Sequence, residues 1–338
     1  MQRFLGKIFS LAITAVGASL VAFFLIRLVP GDPVTHLLGE RGSSPERIEA
    51  MKEKLGLNQS LPQQYLKFLG RAVTGDLGES IVSQRSVKEE IVERFTATAE
   101  LSLLAFVFSV LLGIPLGIWA ATRKGTWVDN VVMGGSLVGY SMPIFWWGLL
   151  LIMFFSVRLG WFPVSGRMDA MFDVPMKTGF LLVDVWFADD SWVAFKSAIH
   201  HIFLPAFVLS TIPLAVIARM TRSSMIEVFQ EDFMRSLKAK GISKLSWIYK
   251  HGLRNAMIPI ITVMGLMLGS LLVGAILTET IFSWPGIGRW LVKSVEARDY
   301  PVLQGGVLFL SMVVVLINLL VDILYLWAQP RLREGKKI

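Results

Sequence analysis

No cysteine occurs among the 338 residues. That excludes disulfide staples, thiol nucleophiles and cysteine-based zinc sites. Charge is scarce too: 17% of the residues are Asp, Glu, Lys or Arg, against about 25% in an ordinary soluble domain. The four histidines, at positions 36, 200, 201 and 251, show no HExxH spacing, so no metal constellation is legible. Nothing fits the phosphate-cradling GxxxxGK[ST] loop or the GxSxG nucleophile elbow. The chain is therefore not expected to be an enzyme by itself, nor to bind a metal or cofactor.

Apolar sequence fills the space instead. Hydrophobic residues make up 54% and mean hydropathy is +0.60. A helix needs about 20 apolar residues to cross the hydrocarbon of a bilayer, and six uncharged runs approach or exceed that length: Ile8–Ile26, Leu101–Thr122, Asn130–Val157, Ser197–Ala218, Asn255–Thr278 and Tyr300–Val321. They predict an all-α integral membrane protein with six transmembrane helices. The first run could serve as a secretory signal behind Arg3 and Lys7. It is long for that purpose and "RLVPGDP" offers no small-residue cleavage site, so it reads as an anchor.

Lysine and arginine set the orientation. With both termini cytoplasmic, segments 1–7, 122–130, 219–254 and 329–338 face inward. They hold 16 of the 33 basic residues but five of the 25 acidic ones. The net charge of +8 thus reports topology, and nucleic acid is not an expected partner. The outer segment 30–97 carries helix signals. In "SSPERIEAMKEKLGL", Ser44 is an N-cap, Pro45 the first helical position and Gly56 a stop. In "SVKEEIVERF", Ser86 and Glu89 form a capping-box pattern, and no breaker separates it from the second span. A second outer segment, 158–199, is irregular. The expected organisation is an N-terminal helix and outer segment (1–97), a five-helix core (98–330) containing a cytoplasmic loop at 219–254, and a tail (331–338).

Pro115, Pro143, Pro205, Pro213 and Pro259 interrupt the apolar runs. Such prolines free backbone groups and suit a bundle that lines a cavity or moves. Gly265-x3-Gly269 is a close-packing signature within one chain or between two. Ser136, in "MGGSLVG", would need His200 or His201 from another helix to act as an intramembrane hydrolase. Buried charge in the membrane marks ion paths. Glu279 and Asp322 lie near the ends of spans five and six, where headgroups relieve the cost, and Asn318 and Asp322 share a helix face. That is thin provision for an ion-driven carrier.

Segment 219–254 is too polar to span. Met225, Val228, Phe229, Phe233 and Leu237 recur at near-helical spacing through "SSMIEVFQEDFMRSLKAK", predicting one helix. Gly241 breaks it, and Ser243 can cap a second helix, "KLSWIYKHGL". An anionic-lipid patch would not require a defined glycine turn. A short helix shown to a cytoplasmic partner fits better.

The frame Gly241-x9-His251-x3-Asn255-x3-Pro259 resembles the cytoplasmic loop of ATP-binding-cassette importer permeases. The blocks "LIRLVPGDPV", "GDLGES", "GYSMPIFWWG", "TIPLAVIARMTRSSMIEV", "GAILTETIFSWPGIGRWL" and "RDYPVLQGGVL" are similar to the dipeptide and oligopeptide branch of that family. Where the general motif has Glu-Ala-Ala, this chain has Arg235, Ser236 and Leu237, so a bulky apolar residue replaces a small one. The resemblance implies a coupling loop formed by Glu231, Asp232, Arg235, Ser236, Ala239, Gly241, His251, Asn255 and Pro259. It implies as partners two cytoplasmic ATPase subunits carrying ATP and Mg, a second homologous permease subunit and an extracytoplasmic substrate-binding protein, all at a bacterial inner membrane. Tyr140, Ser141, Met142, Pro143 and Glu279 are candidates for the translocation path. Trp284, Pro285, Gly286 and Arg289 are candidates for binding-protein or gate contacts, although Trp284 and Trp290 read first as interfacial anchors. Relatives in this branch also handle haem-type and nickel-chelate substrates.

Overall fold

The computed structural model describes residues 13–24, 45–54 and 58–328. The Ser44 cap, the Gly56 stop, the "LIRLVPGDPV" block, the rest of the first apolar run, the side chain of Asp322 and both tails lie outside the described residues. Within the described residues every regular element is helical, and the one β contact is an isolated bridge between Glu79 and Ser86.

Ile13–Phe24 forms α1, Pro45–Lys54 α2 and Leu61–Val73 α3. Pro45 opens α2, where its missing N–H costs nothing. Val87–Thr122 forms α4, 36 residues long, running from the outer segment into the second span as the unbroken pattern predicts. Trp127–Ser141 forms α5; Ile144–Leu151 forms α6, which continues as a π-wound turn over Ile152–Arg158. The run 130–157 is thus not one helix, because α5 and the α6 segment meet at 106°. Pro143 has no N–H to give and forces Met142 into an extended conformation (φ −75°, ψ 131°). The other four prolines sit inside continuous helices, so only Pro143 marks a real break.

Leu181–Asp184 forms α7 and Ser191–Gln230 forms the 40-residue α8. Asp232–Ala239 is α9; a π-wound segment Ser246–Leu253 leads into α10, Arg254–Gly274. Ile276–Ile281 is α11, Ile287–Glu296 α12 and Tyr300–Ala328 α13. By length and composition, four helices of the described residues can cross a membrane, or five if the bent α5–α6 pair is one span.

The chain divides into two compact units, one of residues 1–98 and 285–315, the other of 99–284 and 316–338. In the first, Phe23 of α1 packs edge-on against Tyr65 of α3, and Val87, Ile91, Ile287, Leu291, Val302 and Leu303 make a buried cluster. In the second, α8 is the central post, packing against α10, α5 and α6. Gly269 meets Ile317 of α13 at ordinary contact distance, so this glycine of the Gly265–Gly269 pair serves packing inside the chain.

Helices α4 and α8 touch backbone to side chain at Gly117. A Cβ there would stand 2.5 Å from Ala218 O and 2.5 Å from Thr221 Cβ, and Ala218 O cannot move without its helix. Gly117→Leu is expected to cost about 3 kcal/mol or more of stability, read as a lowered unfolding midpoint in detergent. An unchanged midpoint would show that the helices do not approach this closely.

Candidate functional site

The basic segment between α8 and α10 is built around one extended residue and one left-handed glycine. Glu231 adopts φ −65°, ψ 145°, so the single helix expected across "SSMIEVFQEDFMRSLKAK" is in fact two, α8 and α9. The near-helical spacing survives the break because Glu231 redirects the chain without adding residues. Gly241 ends the element with φ +74°, a conformation that L side chains rarely take. Trp247 N donates to Ser243 O at 2.9 Å, starting the second helix where a cap was expected.

Helix α9 is held by one side and presented by the rest. Met234 is fully buried and Leu237 half-buried, while Asp232, Phe233, Arg235, Ser236, Lys238 and Ala239 are exposed. The support comes from Trp247, whose indole N–H donates to Met234 O at 3.0 Å. The same indole stacks on Phe229 at 4.3 Å and 16°. Gly252 allows the π-wound segment to close on α8, since a Cβ there would lie 2.8 Å from Phe229 Cε1. Asn255 donates its side-chain N–H to His251 O at 2.7 Å, at the junction where π winding hands over to α winding and the hydrogen-bond register shifts. Pro259 follows one turn later inside α10. His251, Asn255 and Pro259 thus share one helical continuation of the loop, and the exposed pair Arg235–Asp232 (3.5 Å) adds little to its stability.

On the last part of α8, before this loop, lies an ion pair that sequence reasoning did not find. Asp129, in the first turn of α5, accepts from Arg222 Nε at 2.5 Å and Nη2 at 2.7 Å, and from Gly125 N at 2.9 Å. The two residues are 93 positions apart, and each alone looks like an ordinary charge beside a span. Glu100 was missed for the same reason. It is buried and accepts from Arg167 (2.6 Å) and Leu182 N (2.6 Å), tying the irregular outer segment to α4.

Tyr140, Ser141, Met142 and Pro143 are brought together at the 106° bend. Tyr140, Ser141 and Pro143 are exposed, and Arg219 lies 5.8 Å from the Tyr140 ring. Glu279 is on a different element, α11, where it has 0% exposure. Burial in the chain, rather than water or headgroups, surrounds it. Trp284 is 1% exposed with Arg167 5.8 Å from its ring, so it is a core residue and not an interfacial anchor. Its backbone N–H donates to Glu279 O at 2.8 Å. Pro285, Gly286 and Arg289 belong to the other unit, where Gly286 precedes α12 and Ile287 N donates to Thr98 Oγ1 at 2.9 Å. In that unit "GDLGES" meets "RDYPVLQGGVL": Ser80 Oγ donates to Asp299 at 2.5 Å, joined by Ile81 N and Val82 N at 3.2 Å. Gly306 receives Leu291 so closely that a Cβ would stand 2.5 Å from it.

Ser136 has no hydrolytic geometry. Its hydroxyl donates to Val132 O at 2.7 Å within its own helix, while His201 contacts Ser197 O and His200 contacts Trp161 O.

Residues 113–334 match the family described as binding-protein-dependent transport system inner membrane component, and residues 1–102 match its N-terminal family. The chain belongs to this permease family. The permease is 51% identical over 337 residues (99% of this chain, 100% of the relative) to the Di/tripeptide transport system permease protein DppB of Pseudomonas aeruginosa. It is 49% identical over 342 residues (99% of this chain, 100% of the relative) to the Dipeptide transport system permease protein DppB of Escherichia coli K12. Among solved structures, a chain of the MetNI methionine ABC transporter in an inward-facing form aligns with a TM-score of 0.54, covering 71% of this permease and 96% of that chain. At 16% identity that likeness concerns the fold alone. The permease is a transport component and not an enzyme.

Proposed function

We propose that this permease is one of two homologous membrane subunits of an ATP-driven importer of dipeptides or short oligopeptides. It sits in a bacterial inner membrane with six spans and both termini cytoplasmic. Residues 1–97 form the first span and an outer segment, 98–330 the five-helix core, and 331–338 a cytoplasmic tail. The observation that carries the reading is α9: a short helix with most of its side chains exposed, held on a Trp247 bracket between two spans. Such an element is suited to docking on a partner and passing its movement to α8 and α10.

In this reading Glu231, Asp232, Arg235, Ser236, Ala239 and Gly241 meet one of two ATPase subunits, which hold ATP and Mg. His251, Asn255 and Pro259 carry the displacement into α10. The exposed bend at Tyr140–Pro143 faces the substrate path and buried Glu279 shapes its wall. Pro285, Gly286 and Arg289 meet the substrate-binding protein or gate the pore, whereas Trp284, buried within its own unit, does not. The similarity to dipeptide permeases along the full chain supports peptide as cargo.

Reconstitution tests this directly. Proteoliposomes holding the permease alone are expected to hydrolyse no ATP and accumulate no labelled dipeptide. Adding the second permease, both ATPases and the binding protein should start ATP-dependent uptake. Uptake by the permease alone, or uptake driven by an ion gradient after ATP depletion, would overturn the proposal. Competition by haem or a nickel chelate, but not by dipeptides, would reassign the cargo.

A further inference from the structure

Residues between Phe162 and Phe203 line an open groove of about 610 Å3 that the transport reading leaves unused. Phe162, Phe172, Trp192, Phe195 and Phe203 are five of its twelve lining residues, and its ionisable groups are Lys196, Asp169 and His200. The walls are set in place by their own contacts. Phe162 stacks on Phe203 at 5.1 Å and 2°, and Trp192 on Phe195 at 5.9 Å and 19°. The Asp169 side is pinned to α8, because Ser197 Oγ donates to Asp169 at 2.8 Å and Asp169 N donates to Ser197 Oγ at 3.2 Å. A preformed, mostly apolar cavity of this size is typical of a site for a small molecule.

Its position along the chain narrows the choice. Lys196 is the last charge before the uncharged run Ser197–Ala218 of α8, a helix able to cross a membrane. The groove therefore sits where α8 passes from water to hydrocarbon, at the end of α8 away from α9. Trp186 and Trp192, both about half-exposed on this stretch, have the amphipathic rings that favour the headgroup level. A lysine at that depth extends its ammonium toward phosphates while its stem stays apolar.

We propose that this groove holds a phospholipid with a zwitterionic, amine-bearing headgroup. An acyl chain lies among the aromatic walls, the phosphate meets Lys196 and the headgroup ammonium meets Asp169. A peptide also carries both charges, but its backbone amides would be buried unpaired against aromatic walls, at a cost that an acyl chain avoids. A purely anionic lipid would set its headgroup charge against Asp169.

The test uses the assembled transporter in nanodiscs. Val193, a half-exposed groove residue, is replaced by photoreactive p-benzoylphenylalanine and irradiated. With phosphatidylethanolamine present, a permease adduct of phospholipid mass is expected. Its yield should fall about fivefold when phosphatidylglycerol replaces that lipid, or when Lys196→Glu is introduced, as for one lost exposed ion pair. Native mass spectrometry of the unsubstituted complex from mixed-lipid nanodiscs should show phosphatidylethanolamine retained in preference. An adduct with a partner protein, a lipid adduct indifferent to headgroup, loss of the adduct on adding excess dipeptide, or no bound lipid by either method overturns the proposal. The readout is lipid attachment, so its failure leaves the transport assay untouched.

Discussion

Gly241→Pro is expected to reduce ATP-coupled uptake by more than about tenfold in the reconstituted importer, with the protein still inserted and folded. Proline holds φ near −65°, whereas Gly241 stands at +74°. Proline also removes the N–H that donates to Lys238 O at 3.1 Å. The turn that ends α9 would have to unwind or swing, at a cost of about 3 kcal/mol, and α9 would lose its direction relative to Trp247. Gly241→Asn is the control: asparagine tolerates the left-handed region, and a Cβ at this position meets nothing within 4 Å. Most of the uptake should therefore survive in the asparagine variant. Measured as uptake and ATPase rate side by side, Gly241→Pro with normal coupled transport would place the lever elsewhere.

Asp129→Ala is expected to loosen the attachment of the first turn of α5 to α8. It leaves the Arg222 guanidinium without its two-point partner and Gly125 N without an acceptor. Arg222 is 27% exposed and is partly rehydrated once alone, so the expected loss is about 1–3 kcal/mol, as for removing the partner of a charge-assisted hydrogen bond. Removing both charges, as Asp129→Leu with Arg222→Met, should restore most of that stability. Thermal unfolding in detergent of both single variants and the double variant measures the coupling. A single variant as stable as the parent would mean that the pair bears no weight.

Much of the architecture was legible because lipid imposes simple rules. Apolar runs of membrane length became helices α4, α8, α10 and α13, and the helix signal at Ser86 continued unbroken into α4. Gly241 and Ser243 ended and restarted helices where their side chains, or lack of one, predict. The break at Glu231 was not legible. Glutamate has no local preference strong enough to stop a helix, and the apolar spacing across it stays in phase. Five prolines looked equivalent in sequence. Only Pro143 broke its helix; Pro115, Pro205, Pro213 and Pro259 stayed within theirs.

The sequence by itself determined what the solvent enforces locally: which segments are long and apolar enough for a bilayer, which loop carries the basic residues, and where glycine must turn the chain. Tertiary structure alone decided which distant residues meet. It paired Asp129 with Arg222 and Glu100 with Arg167, set Trp247 under Met234, buried Trp284 and joined Ser80 to Asp299. Each of those contacts depends on segments distant in sequence, helical or not, coming within a few ångströms of each other. Residue spacing within one segment carries no record of that approach.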